Sequence, residues 1–212
     1  MKFTIISDTH GEHEKLGVMS GEVLIHCGDM FNMFGGNDDE FERIDDWFGR
    51  QNFDLILCVG GNHDFELQKR SNHVSNPFKN AVFLGGASYE YQGVNFFGAP
   101  WVPDLYGQAF FMKDSDLEGK WSEIPNNTDI LITHTPPAGA LDISSMGLKL
   151  GCPYLAASID SIVPRLHCFG HVHASSGILS KGSTTYINAS MVNHQYVLIR
   201  EPYEFQYNQS KT

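Results

Sequence analysis

The chain has 212 residues, 42% of them hydrophobic and 12% aromatic, enough for one well-buried domain rather than two. Twenty-five acidic against fourteen basic side chains leave a net charge of −11, a surface that repels long polyanions and is not expected to bind DNA or RNA non-specifically. No stretch reaches the roughly 20 apolar residues of a membrane span, and Met1–Ile6 lacks the apolar core and cleavage site of a secretory signal, so a cytoplasmic location is expected.

Residues 2–7 read as a strand that runs into the loop Asp8-Thr9-His10-Gly11. Residues 22–27 form a second, leading into Gly28-Asp29 and a loop rich in Gly, Asn and Met. A polar helix is expected over about 38–50, where Phe41, Ile44, Trp47 and Phe48 recur at helical spacing and turn one face to a sheet. The acidic run Asp38, Asp39, Glu40 and Glu42 is its solvated start, favoured by the helix dipole. Strand 54–59 ends in Gly60-Gly61, whose tight turn delivers Asn62, His63 and Asp64 to one corner.

Residues 81–84, 87–91 and 94–98 read as short strands, the last two joined by a Gln92-Gly93 turn. The aromatic region 99–111 reads as a hydrophobic lid over the sheet in preference to a base-stacking wall, and a short helix is expected near 114–122. Strand 129–133 stops at His134 before Pro136-Pro137, and a helix with Pro153 in its first turn covers 153–162. Strand 166–169 leads into Gly170-His171-Val172-His173. Segments 177–180, 184–188, 196–200 and 203–207 alternate as antiparallel strands do. Strand–helix alternation first and hairpins late predict a mixed α/β (α+β) fold over 1–212: a four-layer αββα sandwich of two mixed β-sheets flanked by helices.

Five strand ends carry polar groups suited to chemistry: Asp8 and His10; Asp29; Asn62 and His63; His134; His171 and His173. Open α/β sheets gather ligands at the carboxyl ends of their strands, so these groups can share one crevice. With His63 set aside for proton transfer, two carboxylates, four imidazoles and one amide oxygen remain. That mixed N/O set suits manganese, iron or zinc better than magnesium or calcium. It is too large for one tetrahedral site and about right for two ions sharing a carboxylate. A lone Asp at a turn is usually turn-forming, but turn chemistry does not call for imidazoles at strand ends.

Other polar residues have plainer readings. His26 and His167 lie inside strands and should pack in the core; His13, His73 and His194 are surface or supporting residues; Asn188 ends a strand and caps a turn, with a role near the metal donors as the lesser alternative. Cys27, Cys58 and Cys168 sit in apolar runs, Cys152 opens a helix and no CxxC pair occurs, so reduced, buried thiols are expected.

In order along the chain, DxH at 8–10, GD at 28–29, GNHD at 61–64, the lone His134 and GHVH at 170–173 resemble the signature of the calcineurin-like metallophosphoesterase superfamily. The stretches Gly98-Ala99-Pro100-Trp101, Thr133-His134-Thr135-Pro136-Pro137 and Ile187-Asn188-Ala189-Ser190 resemble its metallophosphoesterase-domain-containing subgroup of small phosphodiesterases. The resemblance implies that Asp8, His10, Asp29 and His173 hold one ion, and that Asp29 bridges to a second held by Asn62, His134 and His171. It also implies attack on a phosphoester by a metal-bridging hydroxide. His63 then serves as the acid for the leaving oxygen, and Asp64 or another nearby acceptor fixes its ring. His171, absent from some feebly active animal members of that subgroup, is retained here. Protein phosphatases of the superfamily carry an Arg after the GD motif. Here Met30-Phe31-Asn32-Met33-Phe34-Gly35 follows, which disfavours phosphoproteins and favours small phosphodiesters, cyclic nucleotides among them. The competing readings are a phosphomonoesterase of small esters and a weakly active nucleotide-binding module on the same fold.

Overall fold

The structure, a computed structural model, describes residues 1–32 and 36–208; the segment Met33-Phe34-Gly35 of the loop discussed above lies outside them. Its strands are β1 (Lys2–Ile6), β2 (Ser20–His26), β3 (Asn52–Cys58), β4 (Val82–Phe83), β5 (Ala87–Tyr91), β6 (Val94–Ala99), β7 (Ile130–Thr133), β8 (Leu166–Phe169), β9 (Gly177–Lys181), β10 (Thr184–Asn188) and β11 (Tyr203–Gln206). Its helices are α1 (Asp38–Arg50), α2 (Phe65–Ser71), α3 (Asp114–Trp121) and α4 (Pro153–Ile162). The first sheet runs β11-β1-β2-β3-β4 and the second β5-β6-β7-β8-β10-β9. In each, the inner strands are parallel and antiparallel strands occupy edges: β11 on β1, β5 on β6, β9 on β10.

Strand alternation sorts the apolar residues into layers. Phe3, Ile5, Val23, Ile25, Leu55 and Leu57 of the first sheet meet Val94, Phe96, Ile130, Ile132, Leu166 and Ile187 of the second in a core between the sheets. Leu24 and Ile56 point the other way, under Phe41, Ile44, Trp47 and Phe48 of α1. Phe97 and Leu131 likewise face Leu117 and Trp121 of α3 and Leu155 and Ile159 of α4. The result is the expected αββα sandwich. Among the described residues no helix is long and apolar enough to cross a membrane.

Local signals account for most boundaries. Asn37 caps α1, its side chain accepting from the Glu40 N–H at 2.9 Å. Gln92 and Gly93, with φ of 50° and 75°, make the turn between β5 and β6. Trp101 and Phe110 are buried, as a packed lid requires, whereas Tyr106 is 88% exposed.

Four expectations need correction. Segment 196–200 forms no strand; it belongs to a loop that closes on itself through Asn193 N–H to Val197 O and Tyr196 N–H to Asn193 O, both 3.0 Å. Helix α2 was not expected, because only Leu67 among its apolar residues is fully buried and no apolar stripe exists to read. What supports it is Glu66, paired with Arg70 at 2.9 Å four residues on. Glu40 is not solvated: it is buried and accepts from the Asn32 backbone and side-chain amides. His13 is buried edge-on against Trp47, and burial lowers its pKa to about 4.

Candidate metal centre

Every candidate donor follows a parallel strand. Asp8 and His10 lie beyond β1, Asp29 beyond β2, Asn62 and His63 beyond β3, His134 beyond β7, and His171 and His173 beyond β8. The turns bend tightly enough that Asp8, His10, Asp29 and His171 have positive φ (53°, 43°, 53° and 69°). Left-handed backbone costs a non-glycine residue about 1–2 kcal/mol, and such strain collects at functional sites. The turns are laced together: Asp8 N–H donates to Gly28 O at 2.9 Å and His10 N–H to Asp29 O at 3.0 Å. Gly28, at φ 95°, allows the closest approach, since a Cβ there would stand 2.7 Å from both Gly60 O and His134 Nδ1.

The side chains converge as two groups that share one carboxylate. On one side His173 Nε2 lies 3.3 Å from Asp8 Oδ1 and 3.4 Å from His10 Nε2. On the other, Asn62 Oδ1 lies 3.1 Å from His134 Nε2 and 3.0 Å from His171 Nδ1. Asp29 Oδ2 stands between, 3.8 Å from His10 Nε2 and 3.3 Å from His134 Nε2. All seven sequence-predicted donors thus meet in one place. His63 adjoins them, its ring centroid 5.1 Å from that of His10 and its backbone N–H donating to Asp29 Oδ1 at 2.8 Å.

This donor set fits cations. His134 Nδ1 sits 2.9 Å from the Cys27 carbonyl, which can only accept, so in the neutral ring Nδ1 carries the proton and Nε2 would turn its lone pair on two further acceptors, Asp29 Oδ2 and Asn62 Oδ1. Acceptors crowded on acceptors call for positive charge at their meeting point. A second proton on the ring is one source of that charge: burial opposes it, yet Asp29 and Asp8 push the His134 pKa up to about 9. Burial likewise opposes ionisation of Asp8, but His173, His134 and His10 hold its carboxyl well below the usual carboxylate range. Asp29 is held low in the same way, against burial, chiefly by His134. His171 moves down to about 4, through burial and then His134.

Asp64 does not hold the ring of His63 as expected. Its fully buried carboxylate accepts from the backbone N–H groups of Asp29 and Gly61 on one oxygen and of Met30 and Phe31 on the other, at 2.8–3.1 Å. Asp64 occupies the N-cap position of α2 but caps nothing; it locks the turn after β2 to the turn after β3. Burial and the Asp29 charge push its pKa up to about 8, with the Phe31 and Gly61 N–H groups opposing.

Four contributors were not visible as such in the sequence. Ser190 Oγ donates to Asp8 Oδ2 at 2.7 Å. Asn188, buried, donates to Val172 O and Leu141 O and receives Ser190 N–H, so it shapes the turn that carries His171 and His173 rather than merely capping a strand. Tyr196 and Arg200 line, with Asp29, Asn62, His63, His171 and His173, a cleft of 440 Å³. The Ile187-Asn188-Ala189-Ser190 stretch was the only hint of these. His26 and His167 are buried, as read from their strands, and all four cysteines are free and buried.

Residues 1–175 match the calcineurin-like phosphoesterase family. The chain is 31% identical over 227 residues to human metallophosphoesterase domain-containing protein 1, covering 95% of this chain and 69% of that protein. It is 35% identical over 208 residues to a UPF0046 protein of Caenorhabditis elegans, covering 91% and 70%. Phosphopantetheinyl hydrolase of Mycobacterium tuberculosis shares the fold, with a TM-score of 0.55 at 12% identity over 92% of this chain and 90% of that one. Family match, sandwich and donor set together define a metal-dependent phosphoric ester hydrolase. The chain belongs to the calcineurin-like phosphoesterase family.

Proposed function

We propose that the cleft holds two divalent ions and hydrolyses small phosphodiesters, cyclic nucleotides among the candidates. The observation that carries this is the position of Asp29 Oδ2 between His10 Nε2 at 3.8 Å and His134 Nε2 at 3.3 Å, one carboxylate oxygen serving two donor groups. In this reading Asp8, His10, Asp29 and His173 hold one ion, and Asp29, Asn62, His134 and His171 the other. Bound there, two such ions would activate water and offset phosphoryl charge. Manganese, iron and zinc are the candidates.

His63 is assigned the proton for the leaving oxygen. Its ring nitrogens can also come within 4.8 Å of donor atoms of His10 and Asp29, so ligation is the competing role for this side chain. Its backbone, tethered to Asp29 Oδ1, keeps the ring beside the donor cluster in either case. The substrate assignment rests on the absence of an arginine after Asp29. Met30 and Phe31 are buried, their N–H groups tied to Asp64, so this segment turns away from the cleft. A cleft of 440 Å³ walled in part by Leu105 and Leu150 suits a small ester with an organic leaving group. The acidic surface disfavours long nucleic acids, and free, buried cysteines accord with a reducing compartment such as the cytoplasm.

The test is metal analysis of purified protein followed by assay on bis(p-nitrophenyl) phosphate, p-nitrophenyl phosphate and 2′,3′- and 3′,5′-cyclic nucleotides. Two ions per chain and preference for the diesters are expected. A preference for p-nitrophenyl phosphate replaces the diesterase reading with a monoesterase. Fewer than two tight ions, with no hydrolysis under added manganese, overturns the proposal.

A further inference from the structure

The loop between β10 and β11 places an aromatic side chain against the donor cluster from the solvent side. The Tyr196 ring meets those of His10 and His173 edge-on, with centroids 4.8 and 5.5 Å away, and lies 6.4 Å from His63. Its backbone is left-handed, φ 60°, an uncommon conformation for a bulky residue. Three tethers hold its loop. Arg200 donates to Ser190 O, Val192 O and His173 O, tying the loop to the turn that carries His173.

Among the polar groups lining the cleft, several are already engaged in the loops that form it. Asn193 Oδ1 accepts from Gln195 and Val197 N–H, and Ser144 Oγ from Met146 and Leu148 N–H. The Arg200 guanidinium is held by its three carbonyls. Ser145 and His194 are exposed at the rim. Tyr196 lines the cleft, and its hydroxyl makes no hydrogen bond to any described residue. A strained backbone that holds an uncommitted donor beside the reacting centre is the kind of outlier from which function is inferred.

We propose that Tyr196 contacts the substrate, its hydroxyl donating a hydrogen bond to a non-bridging oxygen of the phosphoryl group. The role rests on reading the cleft as the phosphoester site, and it would supply a phosphoryl contact in a chain that has no arginine directly after Asp29. A neutral donor suits a diester, which carries one negative charge where a monoester carries up to two. Aimed at oxygens whose charge grows during displacement, it strengthens toward the transition state.

The test is Tyr196→Phe, which keeps the ring and its packing and removes only the hydroxyl. The manganese-loaded variant should retain the wild-type metal content and melting temperature. Its Kd for inorganic phosphate, by titration calorimetry, should rise roughly tenfold, and its kcat/KM for bis(p-nitrophenyl) phosphate should fall at least as far. Tyr196→Asn, compatible with left-handed backbone, should lose at least as much. Phosphate affinity and kcat/KM within about twofold of wild type in Tyr196→Phe overturn the role of Tyr196 and leave the site reading intact. A wild-type protein that binds no metal and hydrolyses nothing overturns the site reading itself, and the role of Tyr196 with it.

Discussion

Ser190 Oγ donates a 2.7 Å hydrogen bond to Asp8 Oδ2, although 182 positions separate the two residues in the chain. Asp8 also receives the backbone N–H of His171, at 3.0 and 3.1 Å to its two oxygens. One carboxylate therefore joins the end of β1 to the turns after β8 and β10, so the donor cluster and the seam between the two sheets are held by the same bonds.

Removing the hydroxyl should loosen the carboxylate without removing a donor. Ser190→Ala is expected to weaken metal affinity roughly tenfold, at the lower end of the effect of removing a bond to a metal-ligating group. Stability should fall by about 1.5–3 kcal/mol, as for a buried bond to a charged acceptor. Competition with a chelator and urea unfolding measure the two effects; affinity equal to wild type would show that Asp8 is positioned without Ser190.

Asp64 and His63 are neighbours with separable roles. In Asp64→Asn, the amide group turns donors on backbone N–H groups that now meet an acceptor, leaving at least two buried N–H groups without a partner. At about 1–3 kcal/mol for each group, stability should drop by roughly 2–6 kcal/mol, and metal binding should weaken because Asp29 loses its anchor. Thermal unfolding and metal analysis read both; a fully stable, metal-replete variant would contradict the locking role.

His63→Ala should lower kcat by about 10²–10⁴-fold, the range for a positioned proton donor, with metal content near wild type. Loss of one ion would instead identify His63 as a ligand.

His167 offers a pH test away from the donor cluster. Thr133 Oγ1 donates to Thr135 O, so His167 Nε2–H donates to Thr133 Oγ1 at 2.8 Å, and Nδ1 is left buried with no partner among the described residues. Burial accordingly lowers the His167 pKa to about 3. Below the usual histidine pKa the unfolded chain takes up a proton here that the folded chain does not, so stability falls as pH falls. The contribution approaches about 1.4 kcal/mol per pH unit. In urea unfolding of chelator-treated protein between about pH 6 and pH 4, His167→Gln should show a shallower pH dependence than wild type by about that amount. Parallel curves would mean that His167 is already charged when folded.

Much of this protein was legible in the sequence because its strongest signals are local. Apolar runs in Phe3–Ile6 and Val23–Ile25, helical spacing in Phe41–Trp47 and polar groups at five strand ends point locally to the layers, the sheets and the donor set. Segment 196–200 kept the alternation and still made no strand. Alternation reports which faces a segment would present; a strand also needs a partner edge, and here the loop pairs with itself while Arg200 pins it to His173. Helix α2 escaped for the opposite reason: a short helix with one fully buried apolar side chain has almost no period to detect. Asp64 reads locally as the orienter of His63, because that ring is the partner within its own few residues. Only the packed structure brings four backbone N–H groups from two turns around its carboxylate, and only there does Tyr196 meet His10. Side-chain chemistry and periodicity are properties of the chain; which acceptor meets which donor across loops is decided by how the two sheets close on each other.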